Sequence, residues 1–348
     1  MIGLDANDRQ INTFILTLRE LPGIGSRTTQ RILEKHKCEI EKSHILDEMF
    51  ARNLDESVIN KALGQRGIFW EDIEERADGI IERAQRADVT ILHPFMDTYP
   101  KRLLFNKNFP PILFVKGNID ALNVEKSVAV IGTREPTSTG KKWGKRLTRL
   151  LVEDGYAVVS GLAKGCDSIG HETALDTGGI TIAVLPTPID APVYPKQNQT
   201  LADRILNSGG TLVSEYAPGI ELYDKQLISN LVARDEWQPG LSDGVIAMET
   251  SITGGTNHAI KHALNTGTPV AMFDYSDLKD SHFDYYLVDL FSGNREYIEA
   301  KKVQPIKDAE SIEVFKSKME AYRAKPHKTP WDEKATVTDE QQLSLGFN

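Results

Sequence analysis

Three stretches of this 348-residue chain put small, cationic and hydrogen-bonding residues at the point where an apolar run gives way to an amphipathic one. In VVSGLAKGCDSIGHETAL (158–175), Gly161 and Gly165 allow a tight loop, and Ser160, Lys164 and Asp167 can line a cleft. His171 follows Asp167 by one helical turn. That pair can orient an imidazole toward a phosphate or a base; equally, Asp167 can cap the helix while His171 packs against a sheet. In VAVIGTREPTSTGKKWGKR (128–146) a run ends at Gly132, and Thr133, Arg134 and Ser138 occupy the loop before a helix, with Thr139 as the expected cap. In TSITGGTNHAIKHAL (250–264) Gly254, Gly255 and Thr256 lead into another helix, with Thr253, Thr256 and Asn257 supplying hydrogen-bond groups.

The chemistry common to the three is anion binding. Glycine lets a ligand approach the backbone, a helix N-terminus offers unpaired N–H groups, and an arginine adds a bidentate contact to phosphate. Any one of them can be a plain capped turn, and only Gly132 fits the GxGxxG dinucleotide fingerprint. Three on one sheet edge point to a phosphate-binding crevice. A fourth stretch, LPGIGSRTTQRIL (21–33), joins two helical patterns through Gly23 and Gly25. Such a hairpin presents amides to a phosphate in helix-hairpin-helix modules, with Arg27 and Arg31 adding charge, or serves packing alone.

The elements that must position these residues follow from periodicity. Residues 1–88 carry helical spacing only and predict a small all-α domain of helix-hairpin-helix (SAM-like) type. From Val89 onward VTIL, ILFVK, VAVIG, YAVVSG, TIAVLP, GTLVSE, GVIAME and PVAMF alternate with amphipathic stretches. Continuous apolar strands alternating with helices predict an α/β, Rossmann-like, largely parallel sheet with helices on both faces, over 89–300. Its ligands belong beyond the carboxyl ends of the strands. A C-terminal helix is expected within 301–327 and a flexible polar tail over 328–348.

The composition, 40% hydrophobic and 26% charged, is that of a soluble globular protein. The net charge of −9 excludes coating of duplex DNA by the whole surface but leaves room for a local basic pocket. Cys38 and Cys166 fit no disulfide or metal spacing, so a reducing cytoplasm is expected, with no membrane span, metal or cofactor.

Taken in order, these blocks resemble the DNA-processing protein A (DprA/Smf) family over about residues 90–275. TYPKRL with PPILFVKGN opens the series, VAVIGTR stands for the family's glycine-serine-arginine strand end, and SGLAKGCDSIGHETAL matches its SGLAxGID…AH…AL block. TIAVLPTPIDAPVYPKQNQTL, SEYAPG and GLSDGVIAMETSITGGTNHAIKHALNTGTPVAMF follow. The resemblance implies a divergent member that binds single-stranded DNA in a basic pocket and delivers it to a RecA-type recombinase. It further implies DNA uptake (natural transformation), recombination or defence as the setting, a homodimer, and no catalytic residue. By position it assigns Arg134, Ser160, Gly161, Lys164, Asp167 and His171 to the pocket wall. The family's arginine-asparagine-arginine triplet reads Arg234-Asp235-Glu236 here, so Arg234 joins the site while Glu236 puts an anion where the family has a cation.

An alternative is a nucleotide-binding sensor or a phosphoribohydrolase-like enzyme using the same crevice. The hydrolase hallmark PGGxGTxxE is absent, because GGTNH (254–258) lacks the glycine spacing and the glutamate that would supply the acid/base. Finally, Gln342, Leu343, Leu345 and Phe347 in QLSLGF resemble the hexapeptide by which bacterial proteins bind the sliding clamp. Three apolar side chains would enter a groove there while the glutamine bonds at its rim.

Overall fold

The computed structural model describes residues 5–220, 223–277 and 289–332. They form two compact units: one of 5–115, 217–219 and 326–332, the other of the described residues within 116–216 and 220–325.

The first unit is helical apart from a short antiparallel strand pair. Its helices are α1 (Ala6–Glu20), α2 (Ser26–Lys42), α3 (Glu48–Asn53), α4 (Ser57–Leu63) and α5 (Trp70–Arg86). α5 buries Trp70, Ile73, Ala77, Ile81 and Ala84, steps of three and four that make one stripe, and this stripe packs on α1, which buries Ile11, Phe14, Ile15 and Leu18. β1 (Thr90–Leu92) pairs antiparallel with β2 (Leu113–Gly117), Ile91 opposite Phe114.

The second unit is the doubly covered sheet. In chain order it contains β3 (Ser127–Ile131), α6 (Ser138–Glu153), β4 (Ala157–Ser160), α7 (Cys166–Asp176), β5 (Thr181–Leu185), α8 (Gln199–Asn207) and β6 (Thr211–Ser214). After these come α9 (Asp224–Asp235), α10 (Trp237–Gly240), β7 (Val245–Ala247), α11 (Asn257–Thr266), β8 (Val270–Phe273), α12 (Ser292–Glu299), β9 (Gln304–Ile306) and α13 (Ala309–Arg323). The strands of this unit pair in the order β6-β5-β4-β3-β7-β8-β9, every pair parallel. Alternate side chains feed two cores. Val128 and Val130 of β3 pack with Leu147, Leu151 and Phe273, while Ala129 and Ile131 pack with Val245, Ala247, Ile260 and Ala263. The Rossmann-like architecture expected from the alternating runs is therefore present.

β9 is a strand that the pattern did not announce. Gln304-Pro305-Ile306 has one apolar residue beside a proline, and it pairs because β8 presents a parallel edge, Met272 opposite Pro305. Among the described residues no helix is long and apolar enough to cross a membrane.

Candidate functional site

From β3 the chain winds outward through β4 and β5 to β6, then returns to place β7 on the other side of β3. The carboxyl ends of β3 and β7 thus flank the point where strand order reverses, the usual ligand crevice of such sheets. Two strand exits meet there: Gly132–Thr137 before α6, and Met248–Thr256 before α11. Their backbones are tied, Thr133 N donating to Glu249 O at 2.7 Å and Met248 N to Ile131 O at 2.9 Å.

The N-terminus of α6 is filled from within. Glu249, fully buried, accepts at Oε2 from Thr137 N (2.8 Å) and at Oε1 from the Thr137 hydroxyl (2.7 Å) and the Tyr275 hydroxyl (2.9 Å). Gly140 lies so close that a Cβ there would occupy the same carboxylate. The helix end expected to hold a ligand anion already holds this one. The cap is Thr137, whose Oγ1 accepts from Gly140 N at 3.0 Å, and not Thr139. Ser138, one residue further, is exposed and lies outside the lining of the crevice. Gly132 packs against Cys166, where a Cβ would meet the sulfur, and it lines the crevice beside Thr133 and Arg134.

The loop from β4 to α7 is a rigid support. Gly165 adopts φ 76°, and a Cβ on it would come within 2.5 Å of the Thr133 and Arg134 carbonyls, so only glycine lets the β3 loop seat here. Leu162 also has positive φ, 57°, a strained state for a branched side chain. Asp167 is buried and accepts from Gly161 N and Ala163 N, each at 3.2 Å; burial raises its carboxyl above the usual range. Ser160 is also buried and donates to Val130 O at 2.6 Å. His171 is fully enclosed, its Nδ1 2.6 Å from the Thr181 hydroxyl, which itself donates to Val158 O. Nδ1 therefore carries the proton and donates, and burial pushes the imidazole down to about 3. Asp167 and His171 take separate partners, and the imidazole belongs to the sheet packing. Lys164 is exposed at the tip of the loop.

The third exit remains open. Asn257 holds its shape, the side-chain amide donating to the carbonyls of Ser251 (2.9 Å), Ile252 (2.9 Å) and Gly254 (2.7 Å). No described residue accepts from Gly255 N or Thr256 N, and Gly254, Gly255 and Thr256 line a cavity of about 490 Å3. Thr133, Arg134 and Asp167 line it from the other exits, and Leu231, Arg234, Asp235 and Gln238 from α9 and α10. Asn230, donating to Pro186 O at 3.1 Å, and Trp237 Nε1, donating to Glu215 at 3.3 Å, anchor α9 and α10 over the strand ends. Arg234 is buried on Gly161, donates to Val184 O at 3.2 Å, and holds Asp235 Oδ1 3.2 Å from its Nε. Burial lifts Asp235 to about 6 even though Arg234 pulls the other way. Glu236 turns away, 3.9 Å from His262 Nδ1, so the acid at the crevice is Asp235 and the charge reversal at Glu236 falls outside it.

An adjoining cavity of about 560 Å3 shares Arg134 and Arg234 with the first and adds Lys164, Tyr194 and Lys196. Lys196 and Tyr194 escaped the motif reading. Their signal is VYPKQN (193–198), an aromatic beside a cation in a long loop after a strand. In the other unit Gly23, at φ 80°, and Gly25, the residue before α2, are exposed, as is Arg27. The residues Gln342, Leu343, Leu345 and Phe347 lie outside the described residues.

A family model described as DNA recombination-mediator protein A matches residues 90–312. Protein Smf of Synechocystis sp. is 32% identical over 229 residues, 65% of this chain and 54% of that protein. DNA processing protein DprA of Streptococcus pneumoniae is 38% identical over 174 residues, 50% of this chain and 59% of that one. The chain thus spans only about half the length of these relatives. Among solved structures, DNA processing protein A from Helicobacter pylori, described for its single-stranded DNA binding mode, aligns with a TM-score of 0.55 at 26% identity. That alignment covers 67% of this chain and 97% of the other. The X-ray structure of the Streptococcus pneumoniae protein aligns with a TM-score of 0.66 over 89% of this chain and 98% of its own, at 24% identity, and shows the shared fold.

Proposed function

Since the chain belongs to the DNA recombination-mediator protein A family, we propose that its crevice grips the phosphates of single-stranded DNA and that the protein passes the strand to a RecA-type recombinase without catalysis. One observation carries the proposal: Arg134 lines both adjoining cavities, between the open amides of Gly255 and Thr256 on one side and Lys164, Lys196 and Tyr194 on the other. Backbone amides and cations suit phosphates, and an aromatic beside them suits a base face, which is the combination single strands require. In this reading Ser160, Gly161, His171 and Asn257 frame the site, while Gly132, Thr133, Arg134, Lys164, Asp167, Arg234 and Gly254–Thr256 line it.

Fluorescence anisotropy of a labelled oligonucleotide tests it. The wild type binds at low salt, and Arg134→Ala with Lys164→Ala weakens binding; equal affinity of both proteins, or none by either, rejects the reading. The exposed amides at Gly23 and Gly25, with Arg27, add a second phosphate contact in this proposal, read as a smaller loss in Arg27→Ala. Delivery to a recombinase, during DNA uptake or defence in the cytoplasm, predicts co-purification with RecA that survives nuclease treatment. Light scattering checks the homodimer. The segment Gln342–Phe347 is proposed to bind the sliding clamp, and removal of residues 341–348 should abolish clamp association.

A further inference from the structure

The crevice has walls of two kinds, and only one of them suits phosphate. Across from Arg134 and the α11 amides stand Asp235 and Gln238. Gln238 is 2% exposed, and its Nε2 donates to Asp235 Oδ1 at 3.1 Å. A carboxylate accepts only, so this bond fixes the amide with its nitrogen toward Asp235 and its oxygen away. That oxygen, Oε1, is buried and has no hydrogen-bond partner among the described residues. On Asp235 both contacts fall on Oδ1, from Gln238 and from Arg234 Nε at 3.2 Å, and no described residue donates to Oδ2. Two acceptors therefore take no donor among the described residues, and the buried one, Gln238 Oε1, carries a cost of roughly 1–3 kcal/mol while it stays so. The same cavity is lined by an aliphatic surface, Ile228, Leu231 and Val232 of α9, with Ile228 65% exposed.

We infer that this wall is a base-reading subsite, in which Asp235 and Gln238 accept the two adjacent N–H donors of a guanine whose ring face lies on Ile228, Leu231 and Val232. The inference rests on the strand-binding reading and deepens it by naming the base. Guanine is singled out by the chemistry of the four bases. Its N1–H and N2 amino group are neighbouring donors on one edge. Adenine and cytosine set a ring acceptor beside their amino group, and thymine flanks its N–H with carbonyl oxygens; each would place a lone pair against the carboxylate. A cavity of about 490 Å3 is within the roughly 300–1,000 Å3 of ligand sites and has room for a base with its phosphate. The departure of this chain from the family triplet fits as well: asparagine carries donors of its own, whereas Asp235 accepts only. Its surroundings are Arg234 on α9, Asp167 on α7, Arg134 in the β3 loop and His258 on α11. The cations keep the group ionised at neutral pH, even though burial places its midpoint near 6.

The test compares affinity for a labelled 15-nucleotide thymine strand with the same strand carrying one central guanine, hypoxanthine, adenine or cytosine, at pH 7.5. The expected result is about tenfold tighter binding of the guanine strand, in line with one bidentate base contact. Hypoxanthine, which lacks the N2 amino group, falls between guanine and thymine. Asp235→Asn, nearly the same size, should abolish the guanine preference, read as the ratio of guanine-strand to thymine-strand affinity within the same variant, and Gln238→Leu should reduce it; thermal melts confirm that each variant is folded. Strand binding with no preference for guanine overturns this inference and leaves the strand-binding reading standing. Saturable binding of guanosine monophosphate that Asp235→Asn removes, with no strand bound at all, keeps the base subsite and overturns the strand. Binding of neither overturns both.

Discussion

The N-termini of α6 and α11 begin from the same premise and end in opposite states. Each follows a parallel strand at the point where strand order reverses, each is approached through glycine, and each has a threonine at its N-cap, Thr137 and Thr256. At α6 the cap residue Thr137 takes the amide of Gly140 and gives its own amide and hydroxyl to Glu249, a carboxylate delivered from just beyond β7, 112 positions along the chain. At α11 the loop is tied back by Asn257, and Gly255 and Thr256, from whose amides no described residue accepts, line a cavity. The difference teaches that a strand–glycine–helix pattern encodes a place for negative charge but does not say whether that charge is a ligand or part of the protein.

The largest effect should come from emptying the filled end. Glu249→Ala removes a buried anion and leaves Thr137 N and two hydroxyls without their acceptor, a loss of about 3–5 kcal/mol on the scale of broken buried charge networks. Urea unfolding reads it directly. A variant as stable as wild type would mean that the α6 end needs no charge, and the contrast between the two helices would dissolve.

The open side carries its own electrostatic cost, and pH exposes it. Asp235 has a folded pKa near 6 against roughly 3.9 for a free aspartate. Its proton is held by the folded state between those values, so its contribution favours folding at low pH and is lost as pH rises through 6. Asp235→Asn should therefore exceed the wild type by up to about 2–3 kcal/mol at pH 7.5, with the gap closing by about 1.4 kcal/mol per unit as pH falls from 6 to 4. His171 pulls in the other direction: its folded value near 3 lies below the free value of roughly 6.5, so its contribution is complete above that pH and is lost on acidification. The two slopes oppose each other between pH 4 and 6, and the variant should show the steeper acid loss. Urea unfolding of both proteins at pH 7.5, 6, 5 and 4 tests this, and a gap that does not vary with pH would remove the carboxylate from the crevice wall.

Cationic reach separates the two ends in a third way. Replacing Arg134 and Lys164 with alanine should weaken a single strand by roughly 30-fold, about 2 kcal/mol, and should lower the salt slope by about 1.4, some 0.7 for each phosphate that is no longer neutralised on a single strand. Anisotropy titrations from about 50 to 300 mM salt, the range over which counterion release shows, measure both. A drop in affinity with no change in slope would mean that the two side chains shape the loops instead of touching phosphate.

Much of this was readable in the chain, for reasons that can be stated residue by residue. The runs that became β1 to β8 are apolar because this fold buries them, so the signal lay in the strands themselves; β9 had none, since Pro305 is drafted by the edge of β8. Arg134, Lys164 and Gly254 could be placed at one sheet edge because strand ends and helix starts fix location. What the motifs could not carry was side-chain direction. Glu249 belongs to a strand end that reads as apolar, and its role depends on a glycine at 140 that admits it. His171 shares a helical turn with Asp167, but the sheet takes its ring and Thr181 takes its proton. Glu236 and Asp235 are neighbours in sequence, yet only the second lines the crevice.

Ser138 gives the smallest effect and for that reason the sharpest check on the comparison. The sequence pattern places it in the loop before the helix, a hydroxyl for a phosphate like Thr256 at the other helix. Its position explains why it should do nothing: Thr137 has already capped α6, Glu249 has supplied the charge, and Ser138 is exposed one residue beyond. Ser138→Ala should change stability by less than about 0.5 kcal/mol, as surface substitutions away from caps do, and strand affinity by less than about twofold. Thr256 lines the open cavity, so Thr256→Ala should weaken the strand measurably, by about 1 kcal/mol if its hydroxyl bonds a phosphate. Parallel titrations of the two variants decide the matter. Equal losses at both positions would show that a ligand reaches α6 as well as α11, and that Glu249 does not hold that end against it.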